Sequence, residues 1–242
     1  MKTVLITGSS RGIGRAIARR LAGSYNLIIN YNHSKDKALS LLDELREINP
    51  NVIAVKADVS KEEEVERLFS LGEKNFGTID VLVNNAGISH FSLIQDTSSE
   101  DFERIVGSNL RSVFLTTKRA LSPMISQKYG VIINISSIWG KEGAAMESLY
   151  SLTKGGINAF TKSLSKELSP SGIRVNAIAP GIVDTDMMRG DFNSEELVEL
   201  KKDLPLGRFA KPSEVADLLA FLISDEASYI TGNIADINGG FY

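Results

Sequence analysis

Short runs of β-branched and large apolar residues punctuate the chain at residues 3–7, 27–30, 52–56, 81–84, 131–136 and 174–179, with a weaker run at 234–237. Most are apolar at consecutive rather than alternate positions, the pattern of a strand covered on both faces. Between them lie longer stretches with apolar residues at three- and four-residue spacing: 15–21, 36–48, 62–76, 101–118 and 153–168. That spacing predicts helices. The steady alternation of strand and helix predicts an α/β fold in which a doubly wound parallel sheet lies between two helical layers. No internal repeat, low-complexity tract or Pro/Gly/Ser linker interrupts it, so residues 1–242 read as one domain.

The alternation breaks once. From Pro180 to Pro212 no strand pattern appears; the stretch carries Gly181, Gly190, Pro205 and Gly207 and one helical piece at 194–202. Ligands of doubly wound sheets sit beyond the carboxyl ends of the strands, where such an insertion can cover them. Residues 181–212 are therefore expected to form a substrate lid. Met187 and Met188 would suit an apolar group of variable shape, and Gly181 or Gly190 would act as the hinge.

Chemistry enters at the first strand-to-helix junction, Thr7-Gly8-Ser9-Ser10-Arg11-Gly12-Ile13-Gly14. Glycines there let the backbone turn tightly, approach a pyrophosphate and pack helix on strand, while the helix N-terminus offers N–H groups and positive dipole. The spacing is G-x3-G-x-G rather than G-x-G-x-x-G, but its place between strand and helix is the one a dinucleotide needs. The sheet is accordingly expected to be Rossmann-like. An acidic residue at the end of the second strand would bind the 2′-hydroxyl of NAD. The sequence there is Asn30-Tyr31-Asn32-His33-Ser34, with no carboxylate before Asp36. With Arg11 in the loop able to pair with a phosphate, the expected cofactor is NADP(H).

Tyr150 and Lys154 stand at i and i+4, on one face of a helix. A free tyrosine, ionising at about pH 10, is a poor acid–base group at neutral pH. An ammonium beside it stabilises the phenolate and moves it towards the working range. Ser136 and Ser137 end the preceding strand, and either hydroxyl is placed to hold a substrate carbonyl.

Composition removes alternatives. Lys and Arg number 27 against 30 Asp and Glu, a net charge of −3. Binding by phosphate neutralisation needs a basic excess, so nucleic acid is not an expected partner. The absence of cysteine excludes disulfides, thiolate nucleophiles and cysteine-ligated metals, and His33 and His90 are too few for a multi-histidine centre, so no metal is expected. Neither histidine neighbours the Tyr150 motif, and neither is assigned a catalytic role. No apolar run is long enough to span a membrane and the N-terminal run is too short for a signal-peptide core, so a soluble cytoplasmic protein is expected. Glu62-Glu63-Glu64 reads as a helix start under a capping box of Ser60 and Glu63. Trp139, Met146, Met187 and Met188 flank the candidate site and either line a pocket or fill core.

Taken together, Thr7-Gly8-x3-Gly12-Ile13-Gly14, Asp58-Val59, Asn84-Asn85-Ala86-Gly87, Asn109, Ser137, Tyr150-x3-Lys154, Arg174-Val175-Asn176 and Pro180-Gly181 resemble the short-chain dehydrogenase/reductases over essentially the whole chain. The resemblance implies a seven-stranded sheet in the order 3-2-1-4-5-6-7, a homotetramer, and NADPH-dependent reduction of a carbonyl. It implies four catalytic residues. Ser137 polarises the carbonyl, Tyr150 donates the proton, Lys154 holds the nicotinamide ribose and lowers the tyrosine pKa, and Asn109 kinks its helix around a relay water. The implied cofactor residues begin with Gly8, Ser10, Arg11, Gly12, Ile13 and Gly14 in the loop and Asn32 after the second strand. Asp58 and Val59 meet the adenine, and Asn85, Ala86 and Gly87 run along the ribose. Tyr150 and Lys154 belong to the same set, and Pro180, Gly181, Ile182, Val183 and Thr185 hold the nicotinamide end. Gly239-Gly240 is similar to the family's tail, where a subunit contact often lies.

Within the family the chain resembles the 3-oxoacyl-[acyl-carrier-protein] reductases of fatty-acid synthesis, which implies an acyl-carrier-protein-bound or small-molecule substrate. That group places two basic residues where the acidic carrier docks. Lys128 matches the first, Ser171 stands at the second, and Arg174 is the nearby substitute. Residues 136–140 and 147–151 also resemble reductases of a 5-aminopentanone carried on a lysine of elongation factor P. A non-catalytic NADP(H)-binding sensor is the reading of another class, and the full Asn109, Ser137, Tyr150, Lys154 set argues against it.

Overall fold

Seven strands form one parallel sheet in the order β3-β2-β1-β4-β5-β6-β7. They are β1 (Thr3–Ile6), β2 (Asn26–Tyr31), β3 (Val52–Lys56), β4 (Val81–Asn84), β5 (Gly130–Ile135), β6 (Ile173–Pro180) and β7 (Ile234–Ile237). This computed structural model describes residues 1–191 and 194–241; Phe192, Asn193 and Tyr242 lie outside it, as do the side chains of Met187, Asp191 and Ser194. All six ladders are parallel, with Val4 beside Leu27 on one flank and Val81 on the other. Strand ends fall within a residue or two of those expected.

The consecutive apolar runs are divided between two cores by the alternation of side chains along each strand. Val4, Ile6, Ile29, Val83, Ile133 and Ile178 face one way, against Ile17 and Leu21 of α1 (Gly12–Leu21), Leu41 and Leu45 of α2 (Lys35–Arg46) and Val215 and Leu219 of the last helix. Leu5, Ile28, Leu82, Ile132 and Val175 face the other, against Val65, Leu68 and Phe69 of α3 (Glu62–Phe76) and Leu115 and Leu164 of later helices. Most of these side chains are wholly buried.

The helix expected at 101–118 is longer and is interrupted. Helix α4 (Ser99–Val106) starts at a capping box between Ser98 and Asp101 and runs through a π-helical turn, Gly107–Arg111, into α5 (Ser112–Gln127). The extra residue per turn swells the helix around Asn109, a distortion found mostly at functional sites. Helix α6 (Ser148–Leu168) carries Tyr150 and Lys154. The remaining helices are α7 (Asp186–Asp191), α8 (Ser194–Lys202) and α9 (Pro212–Ile223).

The acidic run departs from expectation. Helix α3 begins at Glu62 with Lys61 at the N-cap and no side-chain cap. Ser60 instead donates to the Asp58 carboxylate at 2.7 Å, and it is Glu64, not Glu63, that accepts the Asp58 N–H at 2.8 Å. A carboxylate at the strand end offers the Ser60 hydroxyl a charge-assisted bond, which outweighs a neutral cap.

Candidate active site

The order of strands reverses between β1 and β4, and a cleft of about 570 Å³ opens above that crevice. The glycine loop forms one wall, and here the glycines are required. Gly8 has φ +63° and a Cβ on it would stand 2.8 Å from Ala86 Cα. A Cβ on Gly14 would stand 2.5 Å from Asn85 Nδ2 and 2.6 Å from the Gly8 carbonyl oxygen. Asn85 Nδ2 donates to the Thr7 and Gly8 carbonyls at 2.9 Å each, and Asn30 Oδ1 accepts the Gly8 N–H at 3.2 Å. Helix α1 starts from an extended Arg11 with no side-chain cap, no acidic residue in its first turn and two arginines in its last. An anion is favoured at such an N-terminus. The cradle fits a dinucleotide pyrophosphate.

One end of the cleft is polar. Arg11, Asn32, His33, Ser34, Asp58 and Val59 line it, with Arg11 exposed at the mouth. Burial works to raise the Asp58 pKa, but the Ser60 hydroxyl and N–H, Lys61 and Asn32 together hold it below the usual carboxylate range. No carboxylate follows β2 directly, where a contact to the 2′-hydroxyl of NAD would need one.

Both serines line the cleft, and their hydrogen bonds separate them. Ser136 Oγ donates to Asn158 Oδ1 at 2.7 Å and is spent on packing α6 to the sheet. Ser137 Oγ accepts the Trp139 N–H at 3.2 Å and lines the cleft, leaving its own proton to donate. Tyr150 and Lys154 line the same stretch, and Lys154 Nζ lies 5.5 Å from the Tyr150 ring centre. Nζ also donates to the Ile135 carbonyl at 2.8 Å, and complete burial pushes the ammonium down to about 8. At neutral pH it still carries most of its charge. Asn109 is held from both ends of its amide, accepting Ile88 N–H at 2.8 Å and donating to Ile88 O at 2.9 Å. A Cβ on Gly87 would be 3.2 Å from Asn109 Oδ1 and 3.7 Å from Lys154 Nζ, so these two groups flank Gly87 closely.

Pro180, Gly181, Val183 and Thr185 continue the cleft beyond β6. The two ends of the 181–212 segment are stapled together: Val183 bridges Ala210, and Asp184 N–H donates to the Ala210 carbonyl at 2.9 Å. Gly181 is not a free hinge. A Cβ there would be 2.9 Å from Asn238 Cα, so the glycine serves close packing against the end of β7. Met188, Leu204 and Phe209 make a small separate core, while Met188 and Leu200 also reach the cleft. Asp186 pairs with Lys37 of α2 at 2.5 Å, across the polar end. The Met187 side chain and residues 192 and 193 lie outside the described residues.

Arg174 corrects the sequence reading. It was the substitute for a missing basic residue on the carrier-docking face, but its guanidinium turns inward to the carbonyls of Leu222 at 2.7 Å and Ser224 at 3.1 Å. Lys128 and Gly172 are close neighbours, with Lys128 exposed and Ser171 next to Gly172, and the Arg174 guanidinium is not available beside them. His90 bonds Thr97 away from the cleft, and Met146 is exposed; Trp139 lines the cleft and packs edge-on to Phe241 at 5.7 Å.

Several contributors escaped the sequence reading. Asn30 orders the glycine loop, His33 and Ser34 line the polar end, and Phe91, Glu147 and Phe241 line the other. Glu147, one turn before Tyr150, lies in the 147–151 segment that carries a resemblance in the sequence, but no site role attaches to it there.

Residues 8–242 match the family model described as Enoyl-(Acyl carrier protein) reductase. "Uncharacterized oxidoreductase YmfI" of Bacillus subtilis is 44% identical over 243 residues, covering 100% of this chain and 99% of that protein. The 3-oxoacyl-[acyl-carrier-protein] reductase FabG of Aquifex aeolicus is 42% identical, covering 100% and 97%. Among solved structures, a crystal structure of an actinorhodin polyketide ketoreductase variant with NADPH superposes with TM-score 0.94 at 34% identity, covering 99% of this chain and 96% of that one. The chain belongs to the short-chain dehydrogenase/reductase family and is an oxidoreductase. None of the helices among the described residues is long and apolar enough to cross a membrane.

Proposed function

We propose that the chain reduces a ketone presented on a carrier or protein arm, with NADP(H) as its cofactor. The observation that carries this is the convergence of Ser137, Tyr150 and buried Lys154 on one stretch of a cleft whose other end suits a 2′-phosphorylated dinucleotide. NADPH supplies the hydride when bound. Ser137 donates a hydrogen bond to the carbonyl oxygen and so fixes and polarises it, keeping its own proton. Tyr150 delivers the proton that completes the alcohol. Lys154, charged beside the phenol, eases that transfer and reloads the tyrosine, and Asn109 positions the relay that feeds Lys154 from solvent. Gly8, Ser10, Gly12, Ile13 and Gly14 hold the pyrophosphate, Asp58 and Val59 the adenine, Asn85 to Gly87 the ribose, and Pro180 to Thr185 the nicotinamide.

For the substrate, a 3-oxoacyl thioester on an acyl carrier protein is supported by the full-length likeness to the FabG reductases. A second reading, a 5-aminopentanone on a lysine of elongation factor P, is favoured by the inward turn of Arg174, which leaves one basic residue on the carrier face. A panel of acetoacetyl thioester, small ketones and aminopentanone-modified protein with NADPH tests the proposal; consumption of NADPH with none of them overturns it. The protein acts in the cytoplasm as a homotetramer, in which the exposed Phe102, Phe114 and Leu152 of α4 to α6 would be covered.

Two expected results follow from the cleft. Arg11→Ala should lower kcat/KM for NADPH by about 10- to 100-fold relative to NADH, the value of a charge-assisted contact of roughly 1.5–3 kcal/mol. Equal kcat/KM for the two cofactors in the wild type rejects the assignment of Arg11 and Asn32. The 181–212 segment closes as a lid that excludes water from the site. Its amides should gain hydrogen-exchange protection when cofactor and substrate bind; equal protection in the free enzyme would make it fixed structure.

A further inference from the structure

Ser137 and Tyr150 must meet at one carbonyl oxygen, yet they belong to different elements. Ser137 follows β5 and opens a single 3₁₀ turn, Ile138–Gly140, while Tyr150 and Lys154 stand on α6. Groups that act together on one atom must be held to within about 0.5 Å of the productive geometry. The contacts that register the turn against the helix therefore bear directly on the chemistry.

Asn158 makes those contacts. It stands four residues after Lys154 and eight after Tyr150, on the same face of α6. Its Oδ1 accepts the Ser136 hydroxyl at 2.7 Å, and its Nδ2 donates to the Gly140 carbonyl at 3.0 Å. These two bonds bracket Ser137 along the chain. A carbonyl can only accept, so Gly140 fixes which end of the amide faces it and leaves the amide oxygen for Ser136. Inside the bracket, the Gly140 N–H returns to the Ser137 carbonyl at 3.0 Å and the Trp139 N–H to Ser137 Oγ at 3.2 Å.

The turn has little room to shift. A Cβ on Gly140 would stand 2.7 Å from the Lys154 carbonyl carbon and 2.9 Å from Asn158 Nδ2, so its backbone rests directly on α6. Ser136 and Asn158 are both buried, and a partner lost there is not replaced by solvent without cost. The ion pair of Lys141 with Asp236 at 2.6 Å also holds this turn, but it runs to β7 and is partly exposed. Lys154 Nζ crosses to the Ile135 carbonyl, ahead of both serines. Asn158 reaches the chain on both sides of Ser137. We infer that Asn158 is a positioning residue, whose amide sets Ser137 against Tyr150 so that both hydroxyls reach one carbonyl oxygen. The inference rests on the ketone-reductase reading above, in which Ser137 holds the carbonyl.

Asn158→Leu keeps the branched shape of the side chain and removes both bonds. With a ketone that wild type reduces, kcat should fall by about 10- to 100-fold, the cost of misplacing a group by about 1 Å. NADPH binding by fluorescence titration should stay within a few-fold of wild type. Ser136→Ala breaks one of the two contacts and should lose less. The pH profile of kcat should keep its midpoints, because Tyr150 and Lys154 keep their own side-chain surroundings. A cycle with Ser137→Ala, followed by single turnover, separates positioning from packing: Asn158→Leu should change the Ser137→Ala enzyme by less than about twofold. If Asn158→Leu no longer binds NADPH, the same cycle with Ser136→Ala decides. An equal loss in both backgrounds, a shifted pH profile or an undiminished kcat overturns the inference while leaving the reductase reading intact. A wild type that reduces no ketone or acetoacetyl thioester with NADPH overturns both.

Discussion

Tyr150→Phe should lose turnover by about 100- to 10 000-fold, the range ascribed to a positioned general acid, while NADPH binding stays within a few-fold. The substitution removes one oxygen and leaves the ring, its place in α6 and the Lys154 Nζ 5.5 Å from its centre. Ser137 keeps its hydroxyl, whose Oγ accepts the Trp139 N–H, and is expected to go on holding the carbonyl without taking over proton delivery. Steady-state NADPH oxidation and a cofactor titration on the same preparation separate chemistry from binding. Residual activity above a tenth of wild type would show that another group delivers the proton.

The sheet was legible because both of its faces are buried, so each strand announces itself as a solid apolar run such as Val81–Asn84. The glycine loop was legible because Gly8 and Gly14 admit no Cβ. What escaped depends on distances between residues far apart in the chain. The kink at Asn109 came from the family resemblance alone: nothing local to it predicts a π-turn, and its amide is claimed by Ile88, 21 residues away. Ser136 and Ser137 look alike in sequence, and only Asn158, packed opposite from α6, takes one of them out of the chemistry. Arg174 reads as a surface cation until α9 offers it the Leu222 carbonyl. Such groups are chosen by tertiary partners, which outvote sequence neighbours whenever a buried polar atom needs satisfying.

Lys154 should show the cost of this site in the stability of the cofactor-free protein. Its ammonium is fully buried and pushed down to about 8, against an ordinary value of 10.5 that the unfolded chain retains. Below about pH 8 both states hold the proton, and the buried charge opposes folding by roughly 3 kcal/mol at 1.36 kcal/mol per unit. Between about pH 8 and 10.5 the unfolded state binds the extra proton, so this group makes stability rise with pH, and above that window its penalty is gone. Lys154→Met keeps the apolar stem volume and removes the charge, at the expense of the 2.8 Å bond to the Ile135 carbonyl. The variant should be inactive, because nothing remains to charge the neighbourhood of Tyr150. Its stability relative to wild type should be greatest at neutral pH and decline steadily across the window as the wild type sheds its penalty. Urea unfolding of both proteins at a series of pH values measures that difference. A difference independent of pH would mean that Lys154 ionises alike in the folded and unfolded chains, and that its burial is not what tunes the site.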